Sequence, residues 1–387
     1  PKSEPIPDSS EPKTGKANSR KQNSKRKRAD NDVKTSRQET EEKPALEITE
    51  QDEHGRVPRG ETPRQQTPEG PYFKAISWNV NGLRALLSKN SEKLVSIVEA
   101  EKPDYICLQE HKLQVQDVDD AKLKLEKLLP GYTSFWNTAT AKKGYSGTVV
   151  IVRTPASGAL PKGSSKKQKG IASFFKGQAK AEAAPSEAGT GLPIVGVTYD
   201  MDGEANLHKG EGRLITVEYE KFFVVGAYVP NSGMKLERLE YRTKQWDRDL
   251  QAYLGALGAR KPTILTGDLN VAHLDIDIYN VAAKHVPKGA CTTPEERASF
   301  GELLGAGFVD AFRHLHAGVK GCYTFWSTRA GNRRTNRGLR LDYCLVSREL
   351  CRGAIGEGPA LHDCWILDDA TVGASDHCPV AVTLVGI

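Results

Sequence analysis

No apolar run among the 387 residues approaches the ~20 needed to cross a bilayer, which excludes a membrane-spanning role. No secretory h-region stands near the start. C-x-x-C pairs are absent, and the seven cysteines (Cys107, Cys291, Cys322, Cys344, Cys351, Cys364, Cys378) are an odd number set mostly in apolar runs. They read as reduced, buried thiols of an intracellular protein, not as disulfides or zinc ligands. Without a G-x-S-x-G elbow a serine-hydrolase reading fails, and without G-x-x-x-x-G-K-[ST] a P-loop reading fails. Up to Pro71 there is no Phe, Trp, Tyr or Cys. Such a segment buries too little apolar surface to offset its ordering entropy, so 1–71 is expected to be disordered.

What that segment does contain is charge. Residues 1–37 hold 11 Lys/Arg against 5 Asp/Glu, and 38–70 hold 4 against 9. Arg20-Lys21 followed by Lys25-Arg26-Lys27-Arg28 looks like a bipartite import signal, which predicts an import receptor as partner and a nuclear location. A basic arm touching nucleic acid is the alternative. The 387 residues suffice for one large domain or two ordinary ones, and 72–387 is expected to form a single domain.

From Phe73 the texture becomes that of a folded protein. Strands are expected at Phe73–Trp78, Tyr105–Leu108, Thr148–Val152, Leu214–Tyr219, Phe222–Val229, Thr263–Thr266, Leu341–Val346 and Val380–Leu384. Helices are expected at Ser91–Ala100, Asp117–Leu129, Lys235–Leu257 and Pro294–Leu304, the last with Thr293 as N-cap. Strands and helices mix without a strict βαβ repeat, so a layered α/β or α+β domain follows.

Polar residues recur where these strands end: Asn79, Gln109-Glu110, Tyr228, Asp268 with Asn270, then Asp342, Asp376 and His377. Loops at one edge of a layered fold converge on a single crevice. An Asp or Asn after a strand is most often a turn former. A tyrosine in a strand is usually core, a lone Glu at its end is usually solvated, and Asp376-His377 would serve as a cap. Seven such coincidences are less probable than one site. Metal-assisted phosphodiester hydrolysis asks for these residue types: carboxylates for a hard cation, a positioned water, and donors for charge on the phosphate. Glu110 and Asn81 suit the metal, Asp268 the water, and Asn79, Asn270, Tyr228 and His377 the phosphate. Asp342 is the candidate to fix the His377 tautomer.

Trp78-Asn79-Val80-Asn81-Gly82-Leu83-Arg84, Leu108-Gln109-Glu110, Gly144-Tyr145-Ser146-Gly147, Tyr228-Val229-Pro230-Asn231, Gly267-Asp268-Leu269-Asn270, Tyr323-Thr324-Phe325-Trp326, Arg340-Leu341-Asp342-Tyr343 and Ser375-Asp376-His377 together resemble the exonuclease III family of apurinic/apyrimidinic (AP) endonucleases. The resemblance implies a four-layer α/β sandwich, two packed mixed β-sheets flanked by helices. It also implies Mg²⁺-dependent (or Mn²⁺-dependent) incision of double-stranded DNA 5′ to an abasic site, with 3′-trimming or exonuclease side activity. Carried over, Glu110 is the main metal ligand with Asn81 and Asp376 near it. Asp268 activates water, Asn270 orients it, and Asn79 supports the phosphate end. Tyr228 and His377 contact phosphate, with Asp342 behind His377. Phe325, Leu339 and Leu341 form the pocket for a flipped abasic sugar, whose selectivity is steric. Tyr145, Asn231, Met234 and Arg329 fall among the DNA contacts. Asn81 and Leu339 depart from the animal pattern of Asp and Trp, and Met234 and Arg329 from that of Arg and Met.

Subtracting the tail (+1) and the 157–190 segment (+4) from +6 leaves the core near +1, so DNA binding must be local. Arg84, Lys112, Lys142, Lys143, Arg333, Arg334, Arg337 and Arg340 are the expected basic rim. Residues 157–190 interrupt the domain as a Gly-, Ala-, Ser- and Lys-rich insert. Within it Gln168, Ile171, Phe174 and Phe175 fit Q-x-x-[aliphatic]-x-x-aromatic-aromatic and look like a sliding-clamp (PCNA) peptide. A phosphatase of the same superfamily, or a catalytically weak scaffold recruited by the clamp, are the competing readings. A monomer is expected.

Overall fold

The computed structural model describes residues 50–155, 157–158, 160, 191–201, 208, 210–352 and 358–387. Twelve strands run through them: β1 (Tyr72–Asn79), β2 (Tyr105–Gln109), β3 (Tyr132–Asn137), β4 (Thr148–Arg153), β5 (Ile194–Tyr199), β6 (Leu214–Tyr219), β7 (Phe223–Tyr228), β8 (Thr263–Asp268), β9 (Phe308–Asp310), β10 (Asp342–Ser347), β11 (Ala360–Ile366) and β12 (Val380–Val385). They form two six-stranded sheets, ordered β11-β12-β1-β2-β4-β3 and β5-β6-β7-β8-β10-β9. Each sheet holds one parallel pair, β1 with β2 and β7 with β8, among antiparallel neighbours.

The period-two pattern of the strands explains the layers. On β1 and β2, Phe73, Ala75, Tyr105 and Cys107 face a core shared with Val224, Ile264 and Val346 of the other sheet. The alternate residues Ile76, Trp78, Ile106 and Leu108 face helices α1 (Leu83–Lys89), α2 (Ser91–Glu101) and α3 (Val118–Leu128). On the far side, Val225, Leu265 and Leu345 pack against the segment that begins with α4 (Leu239–Tyr241) and continues as α5 (Asp247–Gly258), and against α6 (Pro294–Gly305). A last short helix, α7 (Ala311–Leu315), packs beside β11 and β10. Helix, sheet, sheet, helix is the four-layer sandwich that the resemblance implied.

Each predicted strand and helix forms, with shifted ends. Thr293 caps α6 in a capping box with Glu296, which is buried. The helix expected over Lys235–Leu257 starts only at Leu239 and passes through a π turn at Arg242–Trp246. Helix α1 and strands β3, β5, β9 and β11 carried no clear apolar period. All seven cysteines are free, and all but Cys351 are buried.

The expected disorder of 1–71 is corrected for residues 50–71. This stretch lies on the domain with Val57 buried against Tyr323, Trp326 and Cys378, and Arg64 stacked 3.4 Å over the Trp365 ring. The aromatic surface that orders it belongs to residues about 260–300 positions later, which local composition does not register. The import-signal stretch 20–28 and the clamp-like peptide 168–175 lie outside the described residues. The chain leaves β4 and returns to β5 at one place: Pro155 and Gly191 form a β-bridge, and Gly191 N donates to Thr154 O at 3.0 Å.

Candidate active site

The strand register brings the polar ends together. Asp268, last residue of β8, lies opposite Tyr228 of β7 and Asp342 of β10, while Asn79 lies opposite Gln109 in the other sheet. The parallel strands finish, and their antiparallel neighbours start, at the same edge of the sandwich. Gly267 makes the approach possible. With φ of 159°, a Cβ there would stand 1.8 Å from the Ala227 carbonyl oxygen, so only glycine fits beside Asp268.

Asn79 joins the two sheets. Its amide nitrogen donates to Asp268 Oδ2 at 2.9 Å and to Glu110 Oε1 at 3.0 Å, and Tyr228 Oη donates to the same Glu110 oxygen at 2.7 Å. Asn270 N donates to Asp268 Oδ1 at 2.9 Å, and its side-chain amide donates to the Val229 carbonyl. His377 Nδ1 donates to Asp342 Oδ2 at 2.8 Å, while Nε2 lies 3.9 Å from Asp268 Oδ2. Thr324 Oγ1 accepts from the Leu341 and Asp342 amides and fixes the start of β10. Asn81, Glu110, Lys112 and Asn270 all adopt positive φ, between 46° and 56°. Such backbone is costly for non-glycine residues and clusters at functional sites.

Burial and charge set the protonation. Burial pushes the Asp268 carboxyl up to about 7; His377 opposes this and Asp342 adds to it. Burial disfavours the His377 imidazolium, but the charges of Asp342 and Asp268 outweigh it and raise the group to about 10. Glu110 is also opposed by burial, yet Lys112, Asn79 and Tyr228 hold it below the usual carboxylate range. Burial lifts the Tyr228 phenol well above its ordinary value, with Glu110 adding to the effect. The site therefore presents an ionised glutamate, a neutral phenol, a charged imidazole and a carboxylate that titrates near neutrality.

Two groups of side chains bear on a metal. Asp268, Asp342 and His377 offer ligand atoms within 4.8 Å of one another. In this trio Asp342 takes up His377 Nδ1, and Nε2 lies 3.9 Å from Asp268, so the three form an ion-paired cluster. The second group runs Glu110, Asn81, Asp376. Lys112 Nζ donates to Glu110 Oε2 and to Asn81 Oδ1, and Asn81 Nδ2 donates to Asp376 Oδ1 at 3.0 Å. Two carboxylates and an amide around one positive charge are the hard oxygen donors that Mg²⁺ or Mn²⁺ takes.

The other expected residues divide. Phe325 and Leu339 line a cavity of about 210 Å³ together with Gly289, Ala290, Asn280 and His285, and the Phe325 ring is 4.9 Å from that of His377. Leu341 lies beneath, buried with Ala272, Ile278 and Cys291. Met234 is 92% exposed, Arg329 is exposed, and the exposed Arg84 pairs with Asp117. One rim assignment is corrected. Arg340 is buried between Asp277 and Asp310, where two carboxylates offset its desolvation. Lys112 turns inward to Glu110. Tyr145 Oη accepts from Arg213 and Arg238, and the exposed Asn231 donates to Asn270 Oδ1 at 2.9 Å. Arg333 and Arg337 hold backbone carbonyls.

Sequence reasoning missed Arg242. Buried in the π turn, it donates to the Asn270 and Leu269 carbonyls at 2.6 Å each, and to Pro230 O at 3.2 Å. It thereby ties down the turn that carries Asp268 and Asn270. A π turn inside a helix is often a functional feature, but its residues carry no local signature.

Comparison with known proteins fits this geometry. The endonuclease/exonuclease/phosphatase family profile matches residues 76–377. A DNA-(apurinic or apyrimidinic site) endonuclease of Dictyostelium discoideum is 38% identical over 317 residues, covering 82% of this chain and 72% of that one. An exodeoxyribonuclease of Bacillus subtilis (strain 168) is 38% identical over 81% of this chain and 99% of its own. DNA repair nuclease APEX1 of Danio rerio is 37% identical over 81% and 82%. The crystal structure of AP endonuclease LMAP from Leishmania major superposes with a TM-score of 0.64 at 31% identity, covering 88% of this chain and 97% of that one. The chain belongs to the endonuclease/exonuclease/phosphatase family, in its exonuclease III-like branch of AP endonucleases.

Proposed function

We propose that this enzyme hydrolyses the phosphodiester 5′ to an abasic site in duplex DNA, leaving a 3′-hydroxyl and a 5′-deoxyribose phosphate, with Mg²⁺ or Mn²⁺ as cofactor. The observation that carries the reading is Asp268, set between Asn79 and Asn270 and facing the charged His377–Asp342 pair. Asp268 accepts a proton from the attacking water, and Asn270 and Asn79 orient that water and the carboxylate. Tyr228 and His377 donate to the non-bridging phosphate oxygens as charge develops there. Glu110, with Asp376 and Asn81 beside it, would hold the cation, which lends Lewis-acid stabilisation to the phosphate when bound. The cavity at Phe325 and Leu339 accepts a baseless sugar, which is inexpensive to flip out of the stack. Trimming of 3′ ends by the same phosphate-facing groups is the second activity we assign.

The test is incision of an abasic duplex with Mg²⁺ and with EDTA, beside an Asp268→Asn control. No metal-dependent nick by the wild type would leave the phosphatase and scaffold readings. The Gln168–Phe175 peptide supports recruitment by a sliding clamp, and Arg20–Arg28 supports nuclear import. A peptide of residues 164–180 that fails to bind PCNA would remove the first.

A further inference from the structure

The stretch 54–60 touches the site through a second chain of contacts that the catalytic reading does not use. Val57 N donates to Thr335 O at 2.9 Å, and Arg337 Nε donates to Gly55 O at 2.8 Å. Asn336 Nδ2 donates to Pro58 O at 3.3 Å, and Arg59 Nη2 donates to Arg333 O at 3.1 Å. These bonds clasp the 331–337 loop, whose Asn332 and Arg337 line the Phe325–Leu339 cavity. The clasp continues toward the catalytic turn. Arg59 pairs with Asp368, which Arg333 also holds. Arg333 Nη1 then donates to Ser375 O at 3.2 Å. The guanidinium groups of Arg59 and Arg333 lie 5.8 and 4.6 Å from the centre of the Trp326 ring, and Trp326 N donates to Asp376 O at 2.9 Å.

We propose that residues 54–60 form a positioning strap: through Arg59, Arg333 and Trp326 they set the Ser375–Asp376–His377 turn and the loop beside the sugar cavity. The inference rests on the incision reading above. His377 and Asp376 reach into the site from a short turn between Thr371 and β12, and that turn is held from outside by Arg333 and Trp326. Arg333 is in turn shared with Asp368 and Arg59. Loss of Arg59 leaves the Asp368 carboxylate to Arg333 alone and removes a donor from the 333 carbonyl. Small displacements at a reacting centre have large kinetic effects, up to about a hundredfold for 1 Å. Arg64, the other anchor of the same N-terminal stretch, supplies an internal comparison. It contacts Asp363, Glu101 and Trp365 at the sheet edge, and not Arg333, Trp326 or Ser375–His377.

The experiment compares full-length wild type with Arg59→Ala, Arg59→Lys and Arg64→Ala, reading kcat and KM on an abasic duplex and hydrogen exchange along the chain. Arg59→Ala is expected to lower kcat about tenfold with a smaller change in KM. Exchange should quicken in 331–337 and 374–378. Arg59→Lys should recover part of both effects, and Arg64→Ala should leave kcat and these segments unchanged. Equal behaviour of Arg59→Ala and Arg64→Ala in kcat and in exchange overturns the strap. A wild type that does not incise abasic DNA would defeat the proposed function instead, and the exchange comparison would still decide the strap.

Discussion

His377 and Asp342 share a hydrogen bond of 2.8 Å, Nδ1 to Oδ2, inside a site where both side chains are buried. The carboxylate keeps the imidazole charged against a desolvation penalty, and it aims Nε2 at the space beside Asp268. Asp342→Asn keeps the shape and removes the charge. We expect kcat to fall by about two orders of magnitude or more, as when an orienting carboxylate is lost from a catalytic histidine. The alkaline limit of activity should move down from about 10. An unchanged alkaline limb in the pH–rate profile would separate Asp342 from His377.

On the proposed mechanism the acid limb belongs to Asp268. It accepts a proton only when ionised, so activity should rise with pH through about 7, and it should fall as His377 loses its proton near 10. A broad optimum on the alkaline side of neutrality follows. In Asp268→Asn the acid limb should vanish along with roughly 10²- to 10⁴-fold of kcat, while binding to abasic DNA persists. Retention of the limb in the residual activity would assign it to another group.

Arg242 is the strongest structural prediction outside the reacting groups. Arg242→Met leaves three carbonyl oxygens without their donor and the buried Glu296 without the charge 3.6 Å away. Breaking a buried charged network in this way costs about 3–5 kcal/mol. Thermal unfolding should register that loss, and incision measured well below the new Tm should also drop, because the Asp268–Asn270 turn is freed. Full activity in a destabilised protein would confine Arg242 to folding.

Lys112 and Asn81 together set the charge at the proposed cation site. Lys112→Met removes a positive charge from Glu110, and Asn81→Asp adds a negative one beside Asp376. Each should tighten Mn²⁺ binding by roughly tenfold, the scale on which one adjacent unit charge shifts a site. Calorimetric titration of the DNA-free protein reads this without reference to turnover. No tightening in either variant would place the cation elsewhere.

The residues whose role depends on strand ends were legible in the sequence, because a polar group after an apolar run marks both the strand and its mouth. Asn79, Glu110, Tyr228 and Asp268 follow that pattern, His377 shortly precedes an apolar run, and all meet at one edge. Residues that act through long-range contacts were not. Arg340 reads as part of a basic rim until Asp277 and Asp310 are seen to enclose it. Arg242 lies in a π turn that a helical period does not reveal. Residues 50–71 look too polar to order, yet Trp326 and Trp365 supply the surface they lack. Strand β5, split by Gly196 at a register shift, and strand β11, interrupted at Leu361/Asp363, lose their period at those irregularities.

The bridge between Pro155 and Gly191 has a consequence for how this fold tolerates change. Chain that departs and rejoins at adjacent residues puts no tension on either sheet, whatever its length or composition. The junction is therefore a natural port, where a peptide or an entire foreign domain is accommodated for little more than loop-closure entropy, about 0.6 kcal/mol for each doubling of length. Sequence could be exchanged at this port while the residues of the candidate active site are left alone.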